Sequence, residues 1–325
     1  MTVPAVKESV PRSRWAGLRS RLPRVRIPLA PPTWIRPILI ANLVAEVGIV
    51  VTGGVVRVTG SGLGCPTWPE CVPGSLAPVA EQRQGFHKLI EFGNRTLTGL
   101  LLVLAVASIW VVLTRFADRR RLRLAAFAIL GGIVLQALVG GATVLLDLHP
   151  NLVAFHFLLS MVLVALSTAL LRGSRDGLEG PGELLVHPVA SRLAWATFAV
   201  GVVVLVLGTL VTGSGPHSGD VDALVRTGFD ARFISWMHAD AVMFFAGLVI
   251  ATLAAVWISG SSTDAGRARG AWRAVLLVTV MQGVIGYVQY FTALPEFLVI
   301  LHMLGASLLV VALTYGVLET RRNPV

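Results

Sequence analysis

Charge is scarce in this chain: only 14% of its 325 residues are Asp, Glu, Lys or Arg, while 55% are hydrophobic. Soluble domains carry about a quarter charged residues, so that class is excluded and a lipid-embedded one remains. Cysteine is scarcer still, with two in the whole chain, which excludes a disulfide-rich scaffold. The acids are outnumbered by Lys and Arg, 17 to 27, giving a net charge of +10 that raises nucleic-acid binding as a reading. Distribution rejects it, because the basic residues sit in short clusters between long apolar runs, the pattern of a membrane protein and not of a nucleic-acid binder. The first 36 residues lack a signal-like apolar stretch, so no cleaved leader is expected. Rich in Arg and Pro, they read as a flexible cytoplasmic tail.

Eight apolar runs are long enough to cross a hydrocarbon layer of about 30 Å. They fall near 36–57, 88–114, 124–146, 151–171, 192–213, 233–259, 271–291 and 296–318. Helices satisfy every backbone group internally, so each run is read as a helix and the fold as an all-α integral membrane protein. Most of the 27 Lys and Arg fall before the first run, in the 115–123, 172–192 and 260–273 loops, and at the C-terminus. That side is therefore expected to be cytoplasmic, with both termini inside a bacterial inner membrane. Two long loops, about 58–86 and 214–232, and two short ones, 147–150 and 292–295, then face outward.

The chain repeats itself. Leu135-Gln136-Ala137-Leu138-Val139-Gly140 echoes Met281-Gln282-Gly283-Val284-Ile285-Gly286 at an offset of 146, which also carries His156 onto His302. Ile90-Glu91-Phe92-Gly93-Asn94-Arg95 lies against Ile234-Ser235-Trp236-Met237-His238-Ala239 at an offset of 144. Val58-Thr59-Gly60-Ser61-Gly62 matches Val211-Thr212-Gly213-Ser214-Gly215, each expected just past a first helix. Two pseudo-symmetric four-helix bundles in the same orientation follow. The expected division is a basic tail at 1–35, an N-terminal bundle at 36–172, a cytoplasmic linker at 173–191, a C-terminal bundle at 192–318 and a tail at 319–325.

Polar residues inside lipid are costly and mark function. His238 and His302 each lie about two turns below the outer end of their helices. On the second and fourth helices of one bundle, two such imidazoles can hold a flat heme between them, one nitrogen on each side of the iron. The plain alternative is two histidines satisfied by interhelical hydrogen bonds; equal depth on facing helices, and the echo at His156, favours ligation. In the first half Asn94 stands where His238 stands in the second. His87, Glu91 and Asn94 share a face by spacing, with His87 about 10 Å above Asn94 at 1.5 Å per residue. Glu91, an acid about a turn into the bilayer, reads as catalytic, or else as the partner of Arg95 at i+4 or of His87.

Cys65 and Cys71 both lie in the first outer loop, within Gly64-Cys65-Pro66-Thr67-Trp68-Pro69-Glu70-Cys71. An oxidising outer face permits a disulfide between them, and no further metal ligand is supplied nearby. Structural and redox-active readings of that disulfide both stand.

The segment Thr52-Gly53-Gly54-Val55-Val56-Arg57-Val58-Thr59-Gly60-Ser61-Gly62-Leu63-Gly64-Cys65-Pro66, followed by Trp68-Pro69 and Cys71, resembles the signature of the heme A synthases. Glu91 to Arg95, His156, His238 and His302 fall where that family has its polar residues, and the resemblance spans about 36–318. It implies an enzyme that oxidises the C8 methyl of heme O to a formyl group, giving heme A for a terminal oxidase. By the same resemblance, the C-terminal half holds a bis-His heme b through His238 and His302. The N-terminal half binds heme O through His156, with His87, Asn94 and Arg95 around it and Glu91 as the essential acid. Cys65 and Cys71 form a disulfide. Dioxygen or water supplies the oxygen, and a heme O synthase, the oxidase, an electron donor and a second copy of the chain are the partners implied.

One departure from the family is plain. Its members commonly carry His three residues after the Glu, where this chain has Asn94. Either His87 partners His156, or the substrate iron is held by His156 alone on that axis. A diheme b-type electron carrier is the rival function, and it predicts four good axial ligands; a transporter rocking about a midplane site is more remote. Elsewhere, Glu46 near Asn42 and Asp240 are intramembrane acids that relay protons or hydrogen-bond within the bundle. Arg57, Arg95 and Arg232 suit heme propionates or interfacial anchoring. Gln136 and Gln282 are expected to crosslink helices, and His149, His187 and His217 to be solvated.

Overall fold

The structure, a computed structural model, describes residues 28–176, 183–217, 219–220, 225–259 and 263–322. Most of the expected basic tail, the centre of the 173–191 linker and the last three residues lie outside the described residues. Eight helices are long and apolar enough to cross a membrane: α1 (Pro32–Val58), α2 (His87–Arg115), α3 (Arg120–Leu145), α4 (Pro150–Gly173), α5 (Pro188–Ser214), α6 (Ala231–Ile258), α7 (Thr263–Phe291) and α8 (Glu296–Leu318). The shortest, α8, has 23 residues, enough for about 30 Å at 1.5 Å per residue. Each expected run is found. Four helices (α1, α3, α5 and α7) begin four or more residues before their runs. The apolar pattern stops where arginines begin, but arginine is a good helix former whose head reaches water while its stem stays on the helix.

Helix ends are built locally. Prolines open α1, α4 and α5 in the first turn, where the missing N–H has no helical partner anyway. Asp230 caps α6, its Oδ1 accepting from the Phe233 amide at 2.7 Å. His187 caps α5, Nδ1 accepting from the Val189 amide at 3.3 Å, a role that its expected solvation had not included. The two short turns repeat each other at an offset of 146. Asp147 and Leu148 in one, Ala293 and Leu294 in the other, all take positive φ. The Leu148 amide donates to the Thr143 carbonyl and the Leu294 amide to the Gln289 carbonyl, both at 2.8 Å. The Val58–Gly62 echo behaves differently. Thr59 ends α1 and Gly60 is left-handed at φ +65, whereas Val211 to Ser214 remain helical inside α5, so the second copy is not past its helix.

Within the first half, α1 packs on α2 and α4, and α3 closes the ring against α2 and α4. In the second, α5 packs on α6 and α8, and α7 on α6 and α8. One apolar core joins Leu39, Leu101, Val112, Ile129 and Val164; another joins Ala194, Phe245, Val249, Trp272 and Leu313. The halves meet where α1 and α4 lie against α8, and α4 against α5. At the arginine-rich end, buried Arg172 on α4 bonds through Nε to Glu319 just after α8 (2.6 Å) and through Nη1 to Asp176. Beside it β1 (Glu183–Leu184) pairs antiparallel with β2 (Arg321–Arg322), Leu184 opposite Arg321, an element with no counterpart in the expected linker and tail. At the disulfide end, Gly62 N donates to the Gly219 carbonyl (2.8 Å) and Arg57 Nη2 to the Thr212 carbonyl (2.9 Å).

Candidate functional site

His156 on α4 and His302 on α8 occupy matching seats, and His238 on α6 shares part of theirs. Gln136 on α3 donates from Nε2 to the His156 carbonyl at 3.0 Å, and Gln282 on α7 donates to the His302 carbonyl at 2.9 Å. The expected crosslinks therefore run from each glutamine to the backbone of the histidine. A glycine lies under each ring: a Cβ at Gly140 would sit 3.3 Å from His156 Cε1, one at Gly286 3.5 Å from His302 Cε1, and one at Gly208 3.3 Å from His238 Cε1. The three rings are half-buried, and each Nδ1 is buried without a hydrogen-bond partner. His238 and His302 lie close enough for their charges to interact. A buried imidazole nitrogen with no partner is costly, so the plain reading, satisfied interhelical histidines, does not describe His156 and His302, whereas His238 also meets the Val204 backbone on α5. Imidazoles set on glycine, one in the first half and two in the second, suit axial ligation of heme iron. No group of three or more His, Cys, Asp and Glu converges among the described residues.

The first half adds a clamped loop. Cys65 and Cys71 are joined in a disulfide and fully buried. Glu91, on the first turns of α2 and only 5% exposed, is the hub. Its Oε2 accepts from the Cys65 amide at 2.6 Å; its Oε1 accepts from Arg95 Nε at 2.9 Å and Nη2 at 2.5 Å. Arg95 then donates onward to the Cys65 carbonyl (2.7 Å) and the Thr67 carbonyl (2.9 Å). Gln82 closes the far side by donating to the Gly64 carbonyl at 2.5 Å. Trp68 lies on Gly141 of α3, where a Cβ would come within 2.7 Å of the ring. The acid and arginine of α2 thus fasten the disulfide loop to α2, with Trp68 against α3. Of the two plain partners weighed for Glu91, the bond is made with Arg95.

Asn94 and His87 lie on opposite sides of this clamp. Asn94 Oδ1 accepts from Thr52 on α1 at 2.7 Å. His87 is the first residue of α2, exposed, with its Nδ1 paired to the buried Ser61 hydroxyl at 2.8 Å. Its backbone backs onto Gly64, where a Cβ would approach the His87 carbonyl carbon at 2.7 Å.

The remaining candidates fall outside these seats. Glu46 is 2% exposed with Oε1 unpartnered, while Asn42 donates to Ser167 on α4 at 2.9 Å. Asp240 is exposed on α6. Arg232 lies over the Trp236 ring at 4.8 Å. His149 is exposed as expected, but His217 is pinned, its Nε2 3.1 Å from the Leu294 carbonyl. The glycine seats and the Thr52–Asn94 bond had no place in the reading of the sequence. Gly140 and Gly286 were visible as repeated letters, whereas Gly208 had no such signal.

Fold and site together define a multi-pass membrane protein with imidazole seats in each half and a disulfide loop locked onto one of them by an acid–arginine pair. Residues 36–217 match the family described as cytochrome oxidase assembly protein, COX15-CtaA. This chain is 27% identical to a heme A synthase of Geobacillus thermodenitrificans over 86% of its own length and 90% of the relative's. It is 26% identical to one of Geobacillus kaustophilus, over 88% and 92%. Against a heme A synthase of Exiguobacterium sibiricum the identity is 31%, over 35% of this chain, and the chain spans 37% of that relative's length. The chain belongs to the COX15-CtaA cytochrome oxidase assembly family.

Proposed function

We propose that this protein is a heme A synthase, converting the C8 methyl of heme O to a formyl group for a terminal oxidase. What carries the reading is the set of three glycine-seated imidazoles with unpaired Nδ1 atoms, in a chain similar to heme A synthases along most of its length. His238 and His302 hold a heme b in the C-terminal bundle, residues 192–318. His156 holds heme O in the N-terminal bundle, residues 36–172, with Asn94 and Arg95 beside it. Heme b, when bound, supplies one-electron transfer. The termini lie in the cytoplasm and the disulfide loop outside, so the substrate is met near the outer face of the cell membrane.

The chain's own residues then have separable tasks. Gln136 and Gly140 fix the height and tilt of His156. Arg95 holds the loop closed over the site and excludes water. Glu91 is the acid–base group; a proton taken up at Oε1 weakens its bridge to Arg95 and so couples proton transfer to the grip on the loop. Two successive two-electron hydroxylations turn the methyl into a gem-diol that loses water to the aldehyde. Each takes its oxygen atom from dioxygen, with two electrons from the donor and the second oxygen leaving as water, or from water, with two electrons passed to an acceptor. The electron donor, the heme O synthase and the oxidase are partners of this reading, as is a second copy of the chain.

The test is the heme content of membranes that make heme O, with and without this chain, separated by chromatography and identified by mass. Heme A should appear only with the chain and vanish with Glu91→Ala. Unchanged heme O beside purified protein loaded with heme b would sink the synthase reading and favour a diheme carrier.

A further inference from the structure

The seats of the two halves agree on the fourth helix and disagree on the second. His302 has its glutamine, its glycine and, within electrostatic reach, His238. His156 has the same glutamine and glycine, but the residue at the position of His238 is Asn94. A carboxamide is a poor substitute for imidazole at heme iron: its oxygen is a hard, weak donor suited to other metals, and its nitrogen has no free electron pair. In this protein the oxygen already accepts a hydrogen bond from Thr52 at 2.7 Å, the shorter of that hydroxyl's two contacts, the other being the Ile49 carbonyl at 3.2 Å. The NH2 group is a donor only.

His87 is the one other imidazole on α2. It sits seven residues before Asn94, about 10 Å further along the helix at 1.5 Å per residue. Its Nδ1 is paired with Ser61, and its backbone is pressed against Gly64 with no room for a side chain between them. Ser61 and Gly64 flank the disulfide loop that Glu91 and Arg95 clamp. Bringing His87 down to the level of Asn94 would mean breaking its bond to Ser61 and unwinding the start of α2 beneath a fastened loop. It belongs to the underside of that loop.

Resting on the heme reading above, we propose that the first half holds its heme iron through His156 alone and leaves the opposite face open to a small exchangeable ligand. The Asn94 amide, oriented by Thr52, donates a hydrogen bond to that ligand. The second half, with two imidazoles, is closed to such ligands. One chain thus carries a coordinatively saturated heme suited to passing electrons and an open one suited to oxygen chemistry, and a single side chain, Asn or His, sets the difference.

The experiment uses the full chain purified from membranes that make heme O, with cyanide as the probe. Expected is a low-spin ferric component indifferent to cyanide and a high-spin one that binds it, the latter matching the heme O extracted from the same sample. Asn94→His should turn the high-spin component low-spin and weaken cyanide binding by at least about tenfold, because a tethered imidazole competes at high effective concentration. Asn94→Ala should stay high-spin but bind cyanide about fivefold more weakly, for want of one hydrogen bond. His156→Ala should lose the high-spin component, and His87→Ala should keep it. Wholly low-spin heme that becomes cyanide-reactive only in His87→Ala overturns the proposal, as does recovery of heme b with no heme O. Heme A formed by a protein without a cyanide-reactive heme sinks this inference and leaves the synthase reading standing. A cyanide-reactive heme O that is never oxidised does the reverse.

Discussion

In the second half His302 has His238 within electrostatic reach; in the first, His156 has Asn94 at the corresponding place. The glutamine bonds, the glycine seats and the left-handed turns before α4 and α8 are the same in both. The loops above are not. The first half is roofed by a disulfide loop tied down at Glu91 and Arg95, while the Ser235 hydroxyl, at the position of Glu91, only returns to the Ala231 carbonyl at 2.6 Å. The two halves therefore share the support beneath the histidine of the fourth helix and differ in what stands at Asn94 and His238. The halves differ in chemistry while sharing their geometry of support.

The largest effects should come from the rings themselves. His238→Ala or His302→Ala should remove heme b from purified protein, whereas His156→Ala should leave heme b in place and abolish heme O binding and turnover. Equal loss of both hemes from either change would mean the halves are not separate sites. Leucine at Gly140 or Gly286 should act likewise on one half each, since even a Cβ there lies 3.3 or 3.5 Å from the imidazole; extracted heme O against heme b reads the outcome.

Stability should separate the halves next. Arg172→Met strands Glu319 and Asp176 at the buried join between α4 and α8. Removing one partner of a buried pair costs about 3–5 kcal/mol, so thermal unfolding in detergent should move to lower temperature and split into two steps if each half then unfolds alone. Replacing Cys65 and Cys71 by Ser should cost about 2 kcal/mol by chain entropy for so short a loop. Hydrogen exchange should rise around 58–86 and stay unchanged in α5 to α8. The smallest effect compares Gln136→Ala with Gln282→Ala. Interhelical hydrogen bonds in membranes average about 0.6 kcal/mol, and Gln136 should cost more because it also donates to Ser160 at 2.5 Å. Equal shifts would show that the Ser160 bond adds nothing.

Much of the scaffold was legible in the letters. All eight helices were found because hydropathy is a sum over neighbouring side chains, and only the arginine-flanked starts were misplaced. The Gln–His repeat was legible because both residues recur at one offset. The turn at Asp147 and Leu148 was not, since four non-glycine residues with positive φ in the two turns carry no glycine signal. The pairing of Glu91 with Arg95 was legible from their i+4 spacing. The reach of both into the Cys65 backbone was beyond sequence, because a backbone amide has no letter. The seat of His217 was hidden for the same kind of reason: its ring finds a carbonyl 77 residues away.

From sequence alone followed the membrane class, the number of spans, the Gln–His repeat and a set of candidate polar residues. Composition and periodicity are local quantities, and lipid leaves the backbone few choices once they are set. Tertiary structure decided which of those residues meet. It tied Glu91 and Arg95 to the disulfide loop, turned Asn94 toward Thr52, kept His87 with Ser61, and joined the halves through Arg172 and Glu319 across 147 residues of chain. Each of these contacts depends on distances between segments far apart in sequence, set only when the helices pack.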